Sequence, residues 1–179
     1  MHILALSGSL RAASTNTALL RGLRAAAPEC ITVEVITPAG LPLFDADLEG
    51  PPAPPEVEAF AARVSRADGL VISCPEYIHA LPGAFKNAID WLVSRPEIIG
   101  KPIALLHGSH RGEDALAQLR LVLGTVSQNF WPDIHARFHL ISMPPEAIAA
   151  HLCAPEQRAE LRAFLDGFTA RIRGARGPG

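Results

Sequence analysis

The sequence predicts an α/β fold, a doubly wound open sheet of five parallel strands with helices on both faces. Three observations predict it. Five short runs rich in Leu, Ile and Val alternate with longer stretches of helical periodicity along the chain. Most of these runs are nearly continuous in apolar residues, as strands buried on both faces require. Right-handed crossovers between parallel strands leave few topologies, and the doubly wound sheet suits this alternation best. No internal repeat and no hinge composition divides the 179 residues. Residues 1–173 are therefore expected to form one domain, with 174–179 a frayed tail.

The elements follow in order. Residues 2–6 (HILAL) read as the first strand, followed by the small polar turn Ser7-Gly8-Ser9. A helix over about 16–27 carries Leu19, Leu20 and Leu23 on one face, with Pro28 just beyond its end. Residues 31–36 (ITVEVI) alternate and are β-branched, so they read as a partly exposed strand. Residues 37–55 are a Pro-rich excursion, and ordered connections of that length tend to be functional. A helix over 56–66 precedes a strand at 69–74 (GLVISC), a loop at 75–82 and a helix over 83–93. Residues 102–107 (PIALLH) read as the fourth strand. The amphipathic helix 113–127 then places Leu116, Leu119, Leu123 and Val126 at helical spacing. A fifth strand is expected at 137–141 and a closing helix at 155–173.

Composition removes several function classes. A formal charge of −2, from 16 basic and 18 acidic residues, lacks the electrostatic footprint of a nucleic-acid binder. It also lacks the basic face of a peripheral membrane protein. The first apolar run has no basic segment before it, and no stretch approaches the roughly 20 apolar residues of a membrane span, so a cytoplasmic protein is expected. Cys30, Cys74 and Cys153 are far apart and form no CxxC, against a disulfide framework or a thioredoxin-type site. Cys74 is expected to be buried and inert. The pairs His107/His110 and His135/His139 have no carboxylate or cysteine at ligand spacing, so no metal is expected. Ser7 and Ser9 lack a GxSxG frame, which disfavours hydrolase chemistry.

In open sheets of this kind ligands bind beyond the carboxyl ends of the strands, near the reversal of winding direction. The loops to read are therefore 7–16, 75–82 and 108–112. The segment after the first strand carries the hydroxyls of Ser7, Ser9, Ser14, Thr15 and Thr17, the carboxamide of Asn16 and the guanidinium of Arg11. A helix N-terminus supplies free N–H groups and partial positive charge, and an arginine adds a charged fork. One cation among many neutral donors suits a phosphate monoester. GxxxxGK[ST] and GxGxxG are both absent, against a triphosphate–Mg²⁺ site or a dinucleotide fingerprint. The plainer reading makes residues 14–16 an N-cap and Arg11 a solvated charge.

The loop after the third strand holds the chain's single Tyr between two prolines. A stiff, largely neutral loop with spare backbone donors can hold the edge of a flat heterocycle. Phe85 and Trp91 read as packing residues, as do Ile78 and Leu81 in the plainer reading. The helix from residue 83 spreads Phe85, Ile89, Trp91 and Leu92 over more than one face, so its second face is expected to meet another subunit.

Gly8-Ser9-Leu10-Arg11-x-x-Ser14-x-Asn16, taken with Pro75-Glu76-Tyr77 and Pro82-Gly83-x-x-Lys86-Asn87-Ala88-Ile89-Asp90-Trp91, resembles the NADPH-dependent FMN reductases. That flavodoxin-like family includes quinone, chromate and azo-dye reductases. Residues 41–50 (LPLFDADLEG) resemble its long second loop, and the resemblance covers residues 2 to about 130. It implies a strand order 2-1-3-4-5, bound FMN at the carboxyl edge, and NADPH or NADH as co-substrate. By that similarity Ser9, Arg11, Ser14, Asn16 and Thr17 surround the phosphate, with Thr15 adjacent. Pro75, Glu76, Tyr77 and Ile78 line the isoalloxazine, and Ser109 and His110 border the flavin edge. Where the family usually has Asn, this chain has Ile78. In place of a Gly-rich loop it reads Gly108-Ser109-His110-Arg111-Gly112-Glu113-Asp114.

The resemblance implies an FMN-dependent NAD(P)H oxidoreductase passing electrons to a quinone, azo compound, free flavin or similar small acceptor. No side chain is expected to act as acid, base or nucleophile, because the flavin carries the difficult chemistry. Ping-pong kinetics follow. Members of the family are commonly dimers or tetramers, so a homodimer or homotetramer is expected. Two alternatives stand beside this: a flavodoxin-type electron carrier, whose acidic docking surface a charge of −2 does not suggest, and a flavin-free binding or assembly protein of the same fold.

Overall fold

The computed structural model describes residues 1–179 except 51, 110, 141, 176, 178 and 179, and except the side chain of Pro145. Strands β1 (His2–Ser7), β2 (Thr32–Ile36), β3 (Gly69–Ser73), β4 (Ile103–His107) and β5 (Phe130–Arg137) form one parallel sheet in the order β2-β1-β3-β4-β5. It is covered by helices α1 (Thr15–Ala26), α2 (Pro55–Arg66), α3 (Gly83–Asp90), α4 (Pro96–Ile99), α5 (Glu113–Val126), α6 (Pro145–Cys153) and α7 (Pro155–Ala175). This is the flavodoxin-like order that the resemblance implies.

Successive side chains of a strand face opposite ways, and the three central strands use both faces. Ile3, Ala5, Val71, Ala104 and Leu106 pack with α1, α6 and α7. Leu4, Leu6, Leu70, Ile72, Ile103 and Leu105 pack with α2, α3, α4 and α5. The continuous apolar runs of β1, β3 and β4 are the sequence trace of this two-sided burial. Among the described residues, no helix is long and apolar enough to cross a membrane.

The last third departs from the sequence expectation. The fifth strand is Phe130–Arg137 instead of 137–141, whose last residue, Ile141, lies outside the described residues. Pro132 and Asp133 disguise it. An edge strand tolerates the proline, and its pairing with β4 shifts register between Ile103 and Leu105. Phe138 and Leu140 are buried just beyond the strand, with the Phe138 N–H donating to the His107 carbonyl at 2.7 Å. Helix α6 is absent from the expectation because its nine residues are too few to declare a period. Helix α7 continues through Ala175, into the expected tail, of which 176, 178 and 179 lie outside the described residues.

The segment between β2 and α2 is fastened by the end of α3. Asn87 Nδ2 and Trp91 Nε1 each donate to the Pro42 carbonyl at 2.8 Å, and the Phe44 N–H donates to Asn87 Oδ1 at 2.7 Å. The Phe44 ring meets Trp91 edge-on with centroids 5.2 Å apart. Trp91 shares a small third core with Ala53 and Val57. Phe85, Ile89, Trp91 and Leu92 are thus all buried within one chain. The subunit contact expected from their spread is replaced, on Trp91's face, by the chain's own long loop.

Candidate functional site

Loops leaving the carboxyl ends of the adjacent strands β1, β3 and β4 enclose a cleft of about 310 Å³. It lies where the chain reverses its winding direction, between β1 and β3.

The first wall is built from residues 8–17. The Gly8 N–H donates to the Ser73 carbonyl at 2.8 Å, which carries the β1–β3 pairing one residue past the strand. Gly8 passes so close to Cys74 that a methyl group there would sit 2.4 Å from Sγ and 3.1 Å from Cα. Only glycine lets these loops approach.

Hydroxyls organise the turn that follows. The Ser9 N–H donates to Ser7 Oγ, the Arg11 N–H to Ser9 Oγ and the Thr17 N–H to Ser14 Oγ, each at 3.3 Å. The Ser73 hydroxyl donates to Asn16 Oδ1 at 2.8 Å, leaving the Asn16 amide nitrogen as a spare donor. Ser14 is the N-cap of α1, and the plainer reading of that residue is also correct. With the Thr17 N–H taken, those of Thr15 and Asn16 remain the open donors of the first turn. No acidic side chain occupies that turn. Arg11 makes no salt bridge among the described residues. What this wall has left to offer is donors and positive charge, the chemistry of a small anion site.

The second wall follows β3. Cys74 is buried, and burial pushes its thiol well above the ordinary range, so it stays protonated. Pro75, Glu76 and Tyr77 line the cleft. Glu76 has a second duty: its Oε2 accepts the Ala115 N–H at 2.9 Å and caps α5, whose own N-cap, Gly112, has no side chain to offer. Tyr77 and Ala80 exchange reciprocal backbone bonds of 3.0 and 3.1 Å, making a tight hairpin. Its tip residues Ile78 and His79 are both left-handed, at φ 52° and 56°. Turns of this kind favour Asn and Gly, and a β-branched residue is strained there.

Helix α5 holds the hairpin in place. Gln118 Nε2 donates to the His79 carbonyl at 2.9 Å, and Gln118 Oε1 accepts the Leu81 N–H at 3.3 Å. His79 Nδ1 donates to Asp114 Oδ2 at 2.6 Å, and this bond raises the imidazole's pKa above its ordinary value. Its contribution is therefore full below the free imidazole's range and is lost as pH rises through the raised value. Glu76, His79 and Asp114 bring ligand-type atoms within 4.8 Å of one another, but their hydrogen bonds already assign them to this clasp. Ile78 is 96 % exposed, so its side chain offers nothing to offset its strain. Ile78→Asn is expected to stabilise the fold by about 1 kcal/mol, read as a raised urea midpoint at unchanged slope. A lowered midpoint would show that the isoleucine packs against something.

The third wall follows β4. His107 is buried at the strand end, which lowers its pKa and keeps the ring neutral. Its Nε2–H donates to the Arg111 carbonyl at 2.8 Å, and the Arg111 N–H donates to Ser109 Oγ at 2.9 Å. Gly112, at φ 93°, then turns the chain into α5.

Ser9, Arg11, Ser14, Thr15, Asn16, Pro75, Glu76, Tyr77 and Ser109 therefore line one cleft. Thr17 stands behind the wall, buried, with its hydroxyl bonded to Ser7 Oγ at 2.8 Å. Ile78 projects into solvent, and His110 lies outside the described residues. Cys74, His107 and Arg111 line the cleft as well. Sequence reading names Arg111 within the 108–112 loop but gives it no role.

Fold and cleft together define a flavodoxin-like protein with a donor-rich wall at its switch point. The family model of NADPH-dependent FMN reductases matches residues 1–137, and the chain belongs to that family. It is 38 % identical over 111 residues to an NAD(P)H-dependent FMN reductase of Pseudomonas aeruginosa, a match covering 61 % of this chain and 60 % of the relative. Identity to an NADPH:quinone oxidoreductase of Arabidopsis thaliana is 35 % over 194 residues, covering 97 % of this chain and 94 % of the relative. Among solved structures, a flavoenzyme NAD(P)H:(acceptor) oxidoreductase of Paracoccus denitrificans aligns with a TM-score of 0.70 at 24 % identity, over 94 % of this chain and 97 % of that one. That last likeness is one of fold.

Proposed function

We infer that the protein is an FMN-dependent NAD(P)H oxidoreductase acting on a quinone, an azo compound, free flavin or a similar small acceptor. One observation carries the reading: the donor-rich wall of residues 9–16, with Arg11, faces a stiff backbone wall at residues 75–77 across a single cleft. The donor set fits a flavin monophosphate, with the first turn of α1 and Arg11 for the phosphate and residues 75–77 for the ring edge. Held there, FMN would supply the hydride- and electron-transfer chemistry between nicotinamide and acceptor. The chain's own part is to bind and orient. Of the titratable groups in the cleft, Cys74 holds its proton and neutral His107 is committed to Arg111, so neither is poised as acid or base. The relatives named above are an FMN reductase and a quinone oxidoreductase by description, which supports an enzyme over an electron carrier.

The test is steady-state turnover of the FMN-loaded protein with NADPH or NADH and a simple quinone, both concentrations varied. Quinone-dependent oxidation with parallel double-reciprocal lines is expected. No flavin-dependent oxidation would overturn the reading. We take residues 1–173 as one domain of a cytoplasmic homodimer or homotetramer. Support for the oligomer comes from two exposed apolar side chains: Tyr77 on the hairpin and Leu121 one turn beyond Gln118 on α5. A monomeric mass by light scattering at micromolar concentration would contradict it.

A further inference from the structure

The same four-residue pattern occurs twice at the cleft, as Gly8-Ser9-Leu10-Arg11 after β1 and as Gly108-Ser109-His110-Arg111 after β4. The two are built alike. In each, the arginine N–H donates to the hydroxyl of the serine two residues earlier, at 3.3 Å for Arg11 and 2.9 Å for Arg111. Both arginines line the cleft. Arg111 is fixed at its other end too, since its carbonyl accepts the His107 Nε2–H at 2.8 Å. Neither guanidinium has a salt bridge among the described residues, and the neighbouring Glu113 carboxylate is taken by Arg137 at 2.6 Å. An exposed guanidinium on a pinned loop, with no carboxylate of its own, is a receptor for an anion.

The two arginines do not share one anion easily. Arg11 belongs with the α1 N-terminus. Arg111 follows β4, on the far side of β3 from β1. Its loop starts against Thr15 and Asn16 at Gly108 but has turned to lie against Glu76 and His107 by Gly112, next to Arg111. A flavin monophosphate brings a single phosphate, whereas a nicotinamide dinucleotide brings further ones. A monoester dianion at the rim matches the planar fork better than a diester-like pyrophosphate oxygen does.

We propose that Arg111 is a specificity-determining residue that binds the 2′-phosphate of NADPH and makes the protein prefer NADPH to NADH. The proposal rests on the reading of the cleft as a flavin and nicotinamide site. Its test is calorimetric binding of NADP⁺ and NAD⁺ to the flavin-loaded protein and to Arg111→Ala, beside steady-state turnover with NADPH and NADH. Parent protein is expected to bind NADP⁺ at least about tenfold more tightly, the scale of a charge-assisted hydrogen bond, and Arg111→Ala to abolish that difference. In turnover the loss appears in KM for NADPH, while NADH kinetics and FMN affinity stay as in the parent. The preference shrinks as salt is raised. Equal binding of the two nucleotides by the parent would overturn the proposal, as would equal weakening of both by Arg111→Ala, which marks a pyrophosphate contact. Loss of FMN affinity in Arg111→Ala would overturn it too, by making Arg111 a second hand on the flavin phosphate. A protein that takes up no flavin yet still discriminates NADP⁺ from NAD⁺ would spare this proposal and sink the flavin reading instead.

Discussion

Trp91→Ala is expected to lower the free energy of unfolding by about 3–5 kcal/mol, the range for truncating a buried aromatic side chain. The indole is 2 % exposed and fills the gap between α3, Ala53 and Val57. Its removal also takes one of the two donors from the Pro42 carbonyl and the edge-on partner from Phe44. The damage should be local as well as global, with residues 37–55 becoming open to proteolysis before the rest unfolds. Trp91→Phe keeps most of the volume and loses the hydrogen bond, so about 1 kcal/mol is expected. Urea unfolding of the three proteins decides it. A loss below about 1 kcal/mol for the alanine variant would mean that the loop does not rest on this ring.

Arg11→Ala is expected to weaken FMN binding by about 1.5–3 kcal/mol, the scale of a charge-assisted hydrogen bond to phosphate. The side chain is exposed and makes no salt bridge among the described residues, so little native structure depends on it. Its backbone N–H bond to Ser9 survives the substitution, and the turn should hold. Thermal stability of the flavin-free protein should therefore match the parent's while the flavin titration shifts. Equal FMN affinity in the two proteins would remove Arg11 from the phosphate.

What the sequence made legible and what it hid divide along physical lines. Burial of β1, β3 and β4 on both faces writes itself into continuous apolar runs, so the central sheet and its order are readable. Ser14 declares α1 because capping is a local interaction. Strand β5 breaks its own pattern with Pro132, which only its edge position tolerates. Long-range duties leave no local mark. Glu76 caps a helix 39 residues further on, and Gln118 clamps a hairpin from the far side of β4. The left-handed tip at Ile78 and His79 is invisible because neither residue type advertises it. Trp91 reads as an interface residue on α3 because its true partners, Pro42 and Phe44, lie in a loop with no period. The 108–112 loop is legible as a ligand loop from the expected sheet, but that Arg111 lines the cleft shows only once the ends of β1, β3 and β4 are together.

On the proposed function, the wall of residues 9–16 holds the phosphate of a flavin mononucleotide. Parallel fluorescence titrations of the flavin-free protein with FMN and with riboflavin, which lacks that phosphate, test it most directly. Saturable 1:1 binding of FMN is expected, with riboflavin bound more weakly by at least about a hundredfold, since the phosphate's several donor contacts are lost together. Equal affinity for the two flavins, or no binding of either, would contradict it.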